Sequence, residues 1–223
     1  MNWANASLAF RLVEDGYDVW MGNSRGNKYS HANVYLDPVV DKEQFFNYSY
    51  ADMGMKDLPA AISYVLNQTG AESLSYVGHS QGTSQMFYGL VRNFDFFKRR
   101  VKSFAALAPI VRMSAIESGI LNVLSNTPVA YKIAHSLGIY EWFPANYEVK
   151  PFKTMCDKVE GLCLAKEKLI EDEDPELNDL VRVKVSSHHF PSGSSMKTIE
   201  YYGQLIQNKT FREYDYGPEG NIV

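Results

Sequence analysis

At 223 residues, 45% apolar and 22% charged, the chain can bury a substantial core and suits a single domain. A formal net charge of −4 and the lack of any Lys/Arg-rich block remove the electrostatic footprint of a nucleic-acid binder, so nucleic acid is not an expected partner. Apolar runs break well short of the roughly 20 residues that span a bilayer, and Met1-Asn2-Trp3-Ala4-Asn5 lacks the basic flank and apolar run of a signal peptide; no transmembrane or targeting segment is expected.

In chain order, Leu8, Ala9, Leu12 and Val13 form a helical apolar stripe that ends before Gly16, and Tyr17-Asp18-Val19-Trp20-Met21 reads as a short buried strand. Gly22 to Tyr50 is rich in Asn, Ser, Tyr and Gly without either period, the pattern of a long ordered loop, and loops of that length usually have a functional task. Asp57 is placed to cap a helix with Pro59 in its first turn and Ile62, Val65 and Leu66 on its apolar face, stopping near Gly70. Ser73 to Val77 is a strand of β-formers. Met86, Phe87, Leu90 and Val91 are the stripe of a helix that starts just after Ser80, and Val101 to Leu107 is a further interior strand closed by Ala108-Pro109. Strand, helix, strand, helix, strand predicts a parallel α/β sheet.

Beyond Pro109 the character changes. Ile116, Ile120 and Leu124 suggest one helix, Thr127-Pro128 opens a second that closes at Gly138, and no strand period returns, so residues 110 to about 200 read as a helical insertion. Its acidic run Glu171-Asp172-Glu173-Asp174 reads as a solvated surface. Cys156 and Cys163 are too far apart for a C-x-x-C redox pair and have no histidine at zinc spacing, which leaves both a disulfide and two buried thiols open and predicts no metal. Asn5, Asn47, Asn67 and Asn208 each begin an N-glycosylation sequon, which points toward export. Tyr201 to Val223 is aromatic and polar.

The chemistry concentrates at Gly78-His79-Ser80-Gln81-Gly82. A bare Gly-x-Ser-x-Gly arises by chance in roughly one chain in ten to twenty of this length, so its placement decides its meaning. Here it falls between a β-rich run and an amphipathic helix, as a nucleophile elbow requires: Ser80 on a strained strand-to-helix turn, Gly78 and Gly82 keeping the turn tight, and the Gln81 N–H at the helix N-terminus available to an oxyanion. His79, inside the elbow, reads as support for the turn. The alternative is a serine in an ordinary βα turn.

With those residues in view, the run Asn5 to Asn27, including Gly16-Tyr17-Asp18-Val19-Trp20 and Gly22-Asn23-Ser24-Arg25-Gly26-Asn27, resembles the acid lipase family, the gastric and lysosomal lipases that hydrolyse triacylglycerols and cholesteryl esters. Asp57-Leu58-Pro59-Ala60, Tyr76 to Gly82 and Ala106-Leu107-Ala108-Pro109 follow the family pattern in the same order; His189 with Pro191-Ser192-Gly193 and Tyr214-Asp215-Tyr216-Gly217 follow it more loosely. The resemblance implies a partial α/β-hydrolase fold: a parallel-sheet core with the elbow over 1–109, a helical cap over 110–200 covering an acyl pocket, and 201–223 returning toward the core. It implies Ser80 as nucleophile, Gln81 as oxyanion donor, a lipid ester as substrate, no metal or organic cofactor, and a secreted or lysosomal setting. The Cys156/Cys163 pair sits where the family has a cap disulfide, at a shorter spacing.

Such a serine needs an Asp and a His after it in the chain, because the hydroxyl is a poor nucleophile until an oriented imidazole takes its proton. The family carries both in a segment after the cap, and neither is recognised before Val223; the family's other oxyanion donor, in a His-Gly-Leu segment, is expected upstream of Met1. His31, His135, His188 and His189 lack the context of the base, and Arg25 and Asp57 read either as a pair that orients loops or as surface and capping residues. Three readings follow: an incomplete piece of a lipase completed by the same gene or a second chain, a degenerate hydrolase acting as a structural or lipid-binding subunit with a protein partner, and an unrelated esterase or thioesterase with another base.

Overall fold

The computed structural model describes residues 3–113, 128–142, 181–182, 185, 189 and 192–221. After a short 3-10 turn, helix α1 (Leu8–Glu14) forms over the expected stripe. None of its residues is buried, however, and Leu8, Phe10 and Val13 are exposed. Residues 17–21, expected as a buried strand, are not one. They carry no strand hydrogen bonds, Tyr17, Trp20 and Met21 are exposed, and the Trp20 ring meets the edge of Tyr64 at 6.0 Å. A strand needs a ladder partner as well as β-formers, and among the described residues none lies beside this segment.

The loop from Gly22 is ordered by its own side chains: Asn33 Oδ1 accepts from the Tyr35 and Leu36 N–H groups, and Asp37 Oδ1 from those of Val39 and Val40. It includes the short helix α2 (Lys42–Phe45) and ends at Ser49. There the helix begins, eight residues earlier than Asp57 implied. Ser49 accepts from the Ala51 N–H and Asp52 accepts from the Ser49 N–H, a capping box that opens α3 (Tyr50–Asp52). The chain then widens into a π turn over Met53–Asp57 before continuing as α4 (Leu58–Thr69). The wide turn ends two residues before Pro59, which has no N–H to give to the preceding turn. Asp57 therefore lies inside a continuous helix and makes no cap bond. Gly70, in the left-handed region at φ 69°, stops the helix as expected.

Strand β1 (Leu74–His79) runs into α5 (Gln81–Arg92), then α6 (Phe94–Arg100), then β2 (Val101–Leu107). β1 and β2 pair in parallel, with Tyr76 opposite Phe104, Gly78 opposite Ala106 and His79 opposite Leu107. The parallel α/β architecture is thus present as a partial, two-stranded sheet. One sheet face is packed: Leu74, Tyr76, Val101 and Phe104 meet Leu58 and Ile62 of α4, Met86 of α5 and Phe97 of α6. Val91, assigned to the α5 stripe, is instead exposed. The opposite sheet face carries Ser75, Val77 and His79 opposite Ser103, Ala105 and Leu107, all exposed.

Helix α7 (Pro128–Ser136) occurs where Thr127-Pro128 and Gly138 placed it, with Gly138 at φ 70°. The expectation that no strand returns is corrected by a short antiparallel pair, β3 (Glu141–Trp142) with β4 (Ser194–Ser195). Two residues per strand are too few to show a period of two. β4 leads into α8 (Met196–Asn208), capped by Ser195, and α9 (Gly217–Gly220) follows. α8 gives the aromatic end a clear place. Tyr201, Tyr202 and Leu205 are buried with Tyr50 and Met113, and the rings of Tyr201 and Tyr202 stack on Tyr50 at 4.4 and 5.0 Å. Cys156, Cys163, His188, the 116–124 helix and the acidic run lie outside the described residues.

Candidate active site

Ser80 joins β1 to α5 with φ 51° and ψ −117°, a conformation that a residue bearing a Cβ rarely adopts. The surroundings impose it. The Ser80 N–H donates to the Leu107 carbonyl at the end of β2 (3.0 Å), and its own carbonyl accepts from both the Thr83 N–H (2.9 Å) and the Thr83 hydroxyl (2.6 Å). A serine at a helix N-cap ordinarily spends its hydroxyl on the first turn; Ser80 makes no such bond, which among the described residues leaves Oγ uncommitted at the positive end of α5.

The two flanking glycines have unequal roles. A Cβ on Gly78 would sit 2.8 Å from the Gly82 carbonyl oxygen and 2.9 Å from Tyr76 Cε1, so the chain crosses itself there without room for a methyl group. On Gly82 it would meet only Tyr76 Oη at 3.4 Å, an ordinary contact. Tyr76 donates that hydroxyl to the Gly82 carbonyl (3.0 Å), and burial pushes its pKa up to about 12, so it stays a neutral donor.

Behind the elbow, Gln85 is buried and donates to Ser24 Oγ (3.2 Å) and Met53 Sδ (3.1 Å), and Gln81 Nε2 also reaches Met53 Sδ (3.4 Å). The Ser24-Arg25-Gly26 loop is thereby seated on α5. Arg25 and Asp57 form the pair that was one of two readings: the Arg25 backbone N–H donates to Asp57 Oδ2 (3.0 Å) while Nε (2.8 Å) and Nη2 (2.5 Å) both donate to Oδ1. Burial works against the guanidinium charge, but the Asp57 bonds and charge outweigh it, and the Arg25 pKa is raised.

The histidines are elsewhere. His31 is wedged between Phe45 and Phe46 with Nε2 3.3 Å from Glu141, His135 Nε2 is 3.5 Å from Glu43, and His189 Nδ1 is 3.0 Å from Lys28 Nζ. His79 is exposed on the open sheet face. Among the described residues none of them bonds to Ser80, and no His/Cys/Asp/Glu group could hold a metal ion. A small cleft lined by Glu43, Asn47, Tyr131, His135, Tyr140 and Lys197 includes no elbow residue. No helix among the described residues is long and apolar enough to cross a membrane.

Thr83, Ser84 and Gln85 were missed in the sequence. Polar residues between a glycine and Met86 look like a solvated first turn, yet all three are buried. The available signal was spacing: a hydroxyl three residues after Ser80 can reach back to its carbonyl.

A strained serine between a parallel strand and a helix, with a glycine that has no room for a side chain, marks the alpha/beta hydrolase fold. The family so described matches residues 2–138, and the chain belongs to it. Within it, the chain is 34% identical to gastric triacylglycerol lipase of Homo sapiens over 97% of its own length and 54% of that protein's. It is 36% identical to lysosomal acid lipase/cholesteryl ester hydrolase of Macaca fascicularis over 97% and 54%. With lipase member J of Homo sapiens it shares 32% over 100% and 60%. The chain spans about half the length of these curated relatives.

Proposed function

We propose that this chain carries the nucleophile region of a serine ester hydrolase acting on neutral lipids such as triacylglycerols or cholesteryl esters. The carrying observation is the strained Ser80 with its hydroxyl uncommitted at the start of α5. Relatives named as triacylglycerol lipase and cholesteryl ester hydrolase support the substrate class. Ser80 Oγ adds to the ester carbonyl carbon, and the oxyanion that forms faces the Gln81 N–H. The alcohol then leaves with the proton that the serine gives up, and water releases the acid and restores Ser80. One oriented N–H is worth roughly 3–4 kcal/mol of barrier. The base that takes the serine proton comes, in this reading, from outside the described residues. No metal or organic cofactor enters this route.

The test is labelling by a fluorophosphonate, followed by intact mass and peptide mapping, alongside hydrolysis of a triacylglycerol emulsion. A single adduct on Ser80, lost together with hydrolysis in Ser80→Ala, is expected. An unlabelled wild-type chain, or an adduct that persists in Ser80→Ala, would overturn the assignment.

A further inference from the structure

Thr83 touches no reacting atom, yet it holds the carbonyl of Ser80. It is fully buried, and its backbone N–H and its hydroxyl both donate to the Ser80 carbonyl at 2.9 and 2.6 Å. That carbonyl belongs to the same peptide unit as the Gln81 N–H. The unit is planar and trans, so its C=O and N–H point in opposite directions, and whatever holds one aims the other. The Gln81 N–H, first in α5, has no acceptor within the helix.

The grip is itself anchored. Thr83 Oγ1 accepts from the Ile110 N–H (3.0 Å), and the adjacent Ser84 hydroxyl donates to the Ile110 carbonyl (3.0 Å). Neighbouring side chains of α5 thus hold both polar groups of residue 110, just past Ala108, which has a positive φ of 45°. The Ser80 N–H reaches the Leu107 carbonyl on the same side. The elbow peptide and the chain leaving β2 are locked to one another, with the Thr83 hydroxyl at the crossing: donor to one, acceptor for the other.

We propose that Thr83 is a positioning residue whose hydroxyl fixes the Ser80–Gln81 peptide plane and so aims the Gln81 N–H at the oxyanion. This rests on the reading of Ser80 as nucleophile, and the experiment separates the two. Thr83→Val keeps shape and removes the hydroxyl, Thr83→Ser keeps the hydroxyl, and Thr83→Ala stands in should the valine form lack a cooperative unfolding transition. For each full chain, the rate of fluorophosphonate adduct formation and the ¹H–¹⁵N resonances of Gln81 and Ile110 are recorded. Since losing an oxyanion donor outright costs about 100-fold or more, misaiming it should slow labelling at least about tenfold in the hydroxyl-free variants. Thr83→Ser should stay within about threefold, and the Gln81 resonance should shift without the hydroxyl and return with serine. Wild-type rates without the hydroxyl, or an unmoved Gln81 resonance, would overturn the proposal. If the wild-type chain does not label, the nucleophile reading fails, and the Gln81 resonance alone decides whether Thr83 sets the peptide plane.

Discussion

Replacing Gly78 by alanine should damage this protein far more than the same change at Gly82, although both flank Ser80. The added methyl at Gly78 would lie 2.8 and 2.9 Å from the carbonyl oxygen and carbon of Gly82, atoms that cannot rotate away. Overpacking typically costs 1–3 kcal/mol, and a main-chain obstacle puts this case near the upper end, at about 3 kcal/mol. At Gly82 the nearest atom is 3.4 Å away, and alanine is the better helix former in α5, so the change should fall within about 0.5 kcal/mol of neutral. Urea unfolding followed by tryptophan fluorescence separates the two, because with a slope of about 2 kcal/mol/M the Gly78→Ala midpoint should fall by about 1.5 M. Equal midpoints for the two variants would refute the steric account of the elbow.

Asp57→Ala strips the acceptor from three Arg25 donors in a partly buried setting; it should cost about 2 kcal/mol by urea unfolding and raise the rate of proteolysis within residues 22–30. Burial holds the Glu200 carboxyl above its ordinary value, against the opposing bond from the Tyr214 hydroxyl. The folded chain therefore keeps that proton more tightly than the unfolded one, so this contribution to stability is full below the unfolded value and is lost as pH rises through the raised one. Glu200→Gln should flatten the fall in stability as pH rises above the ordinary carboxylate range, and an unchanged slope across thermal melts over that rise would count against it.

How far the sequence could be read depended on whether the signal was local. The strand-to-helix turn at Ser80, both strands around it and the Gly70 stop were legible, because β-formers, an apolar stripe and glycine act within a few residues of themselves. Residues 17–21 show the limit: their composition is that of a strand, but pairing depends on a partner that composition does not reveal. Asp57 shows another. It has the chemistry of a cap, but Ser49 and Asp52 had already begun the helix, which freed Asp57 to hold Arg25, 32 positions away. The aromatic end became legible only in three dimensions, where Tyr201 and Tyr202 stack on Tyr50. Around Ser80, the turn was visible and its long-range supports were not, since Gln85 reaches Ser24 and Thr83 reaches Ile110 across separations that a linear pattern does not bring together.

The π turn that precedes Pro59 also sets how near the long helix lies to α5. A Cβ on Gly54 would fall 2.4 Å from the Gln85 carbonyl oxygen, and one on Gly89 would fall 3.0 Å from that of Gly54. Main chain rests directly on main chain there, so side-chain volume does not set the spacing between the two segments. Neighbouring apolar residues can change in size over evolution while the platform beneath Ser80 keeps its height, and the tolerance of the surrounding core to substitution should end abruptly at these two glycines.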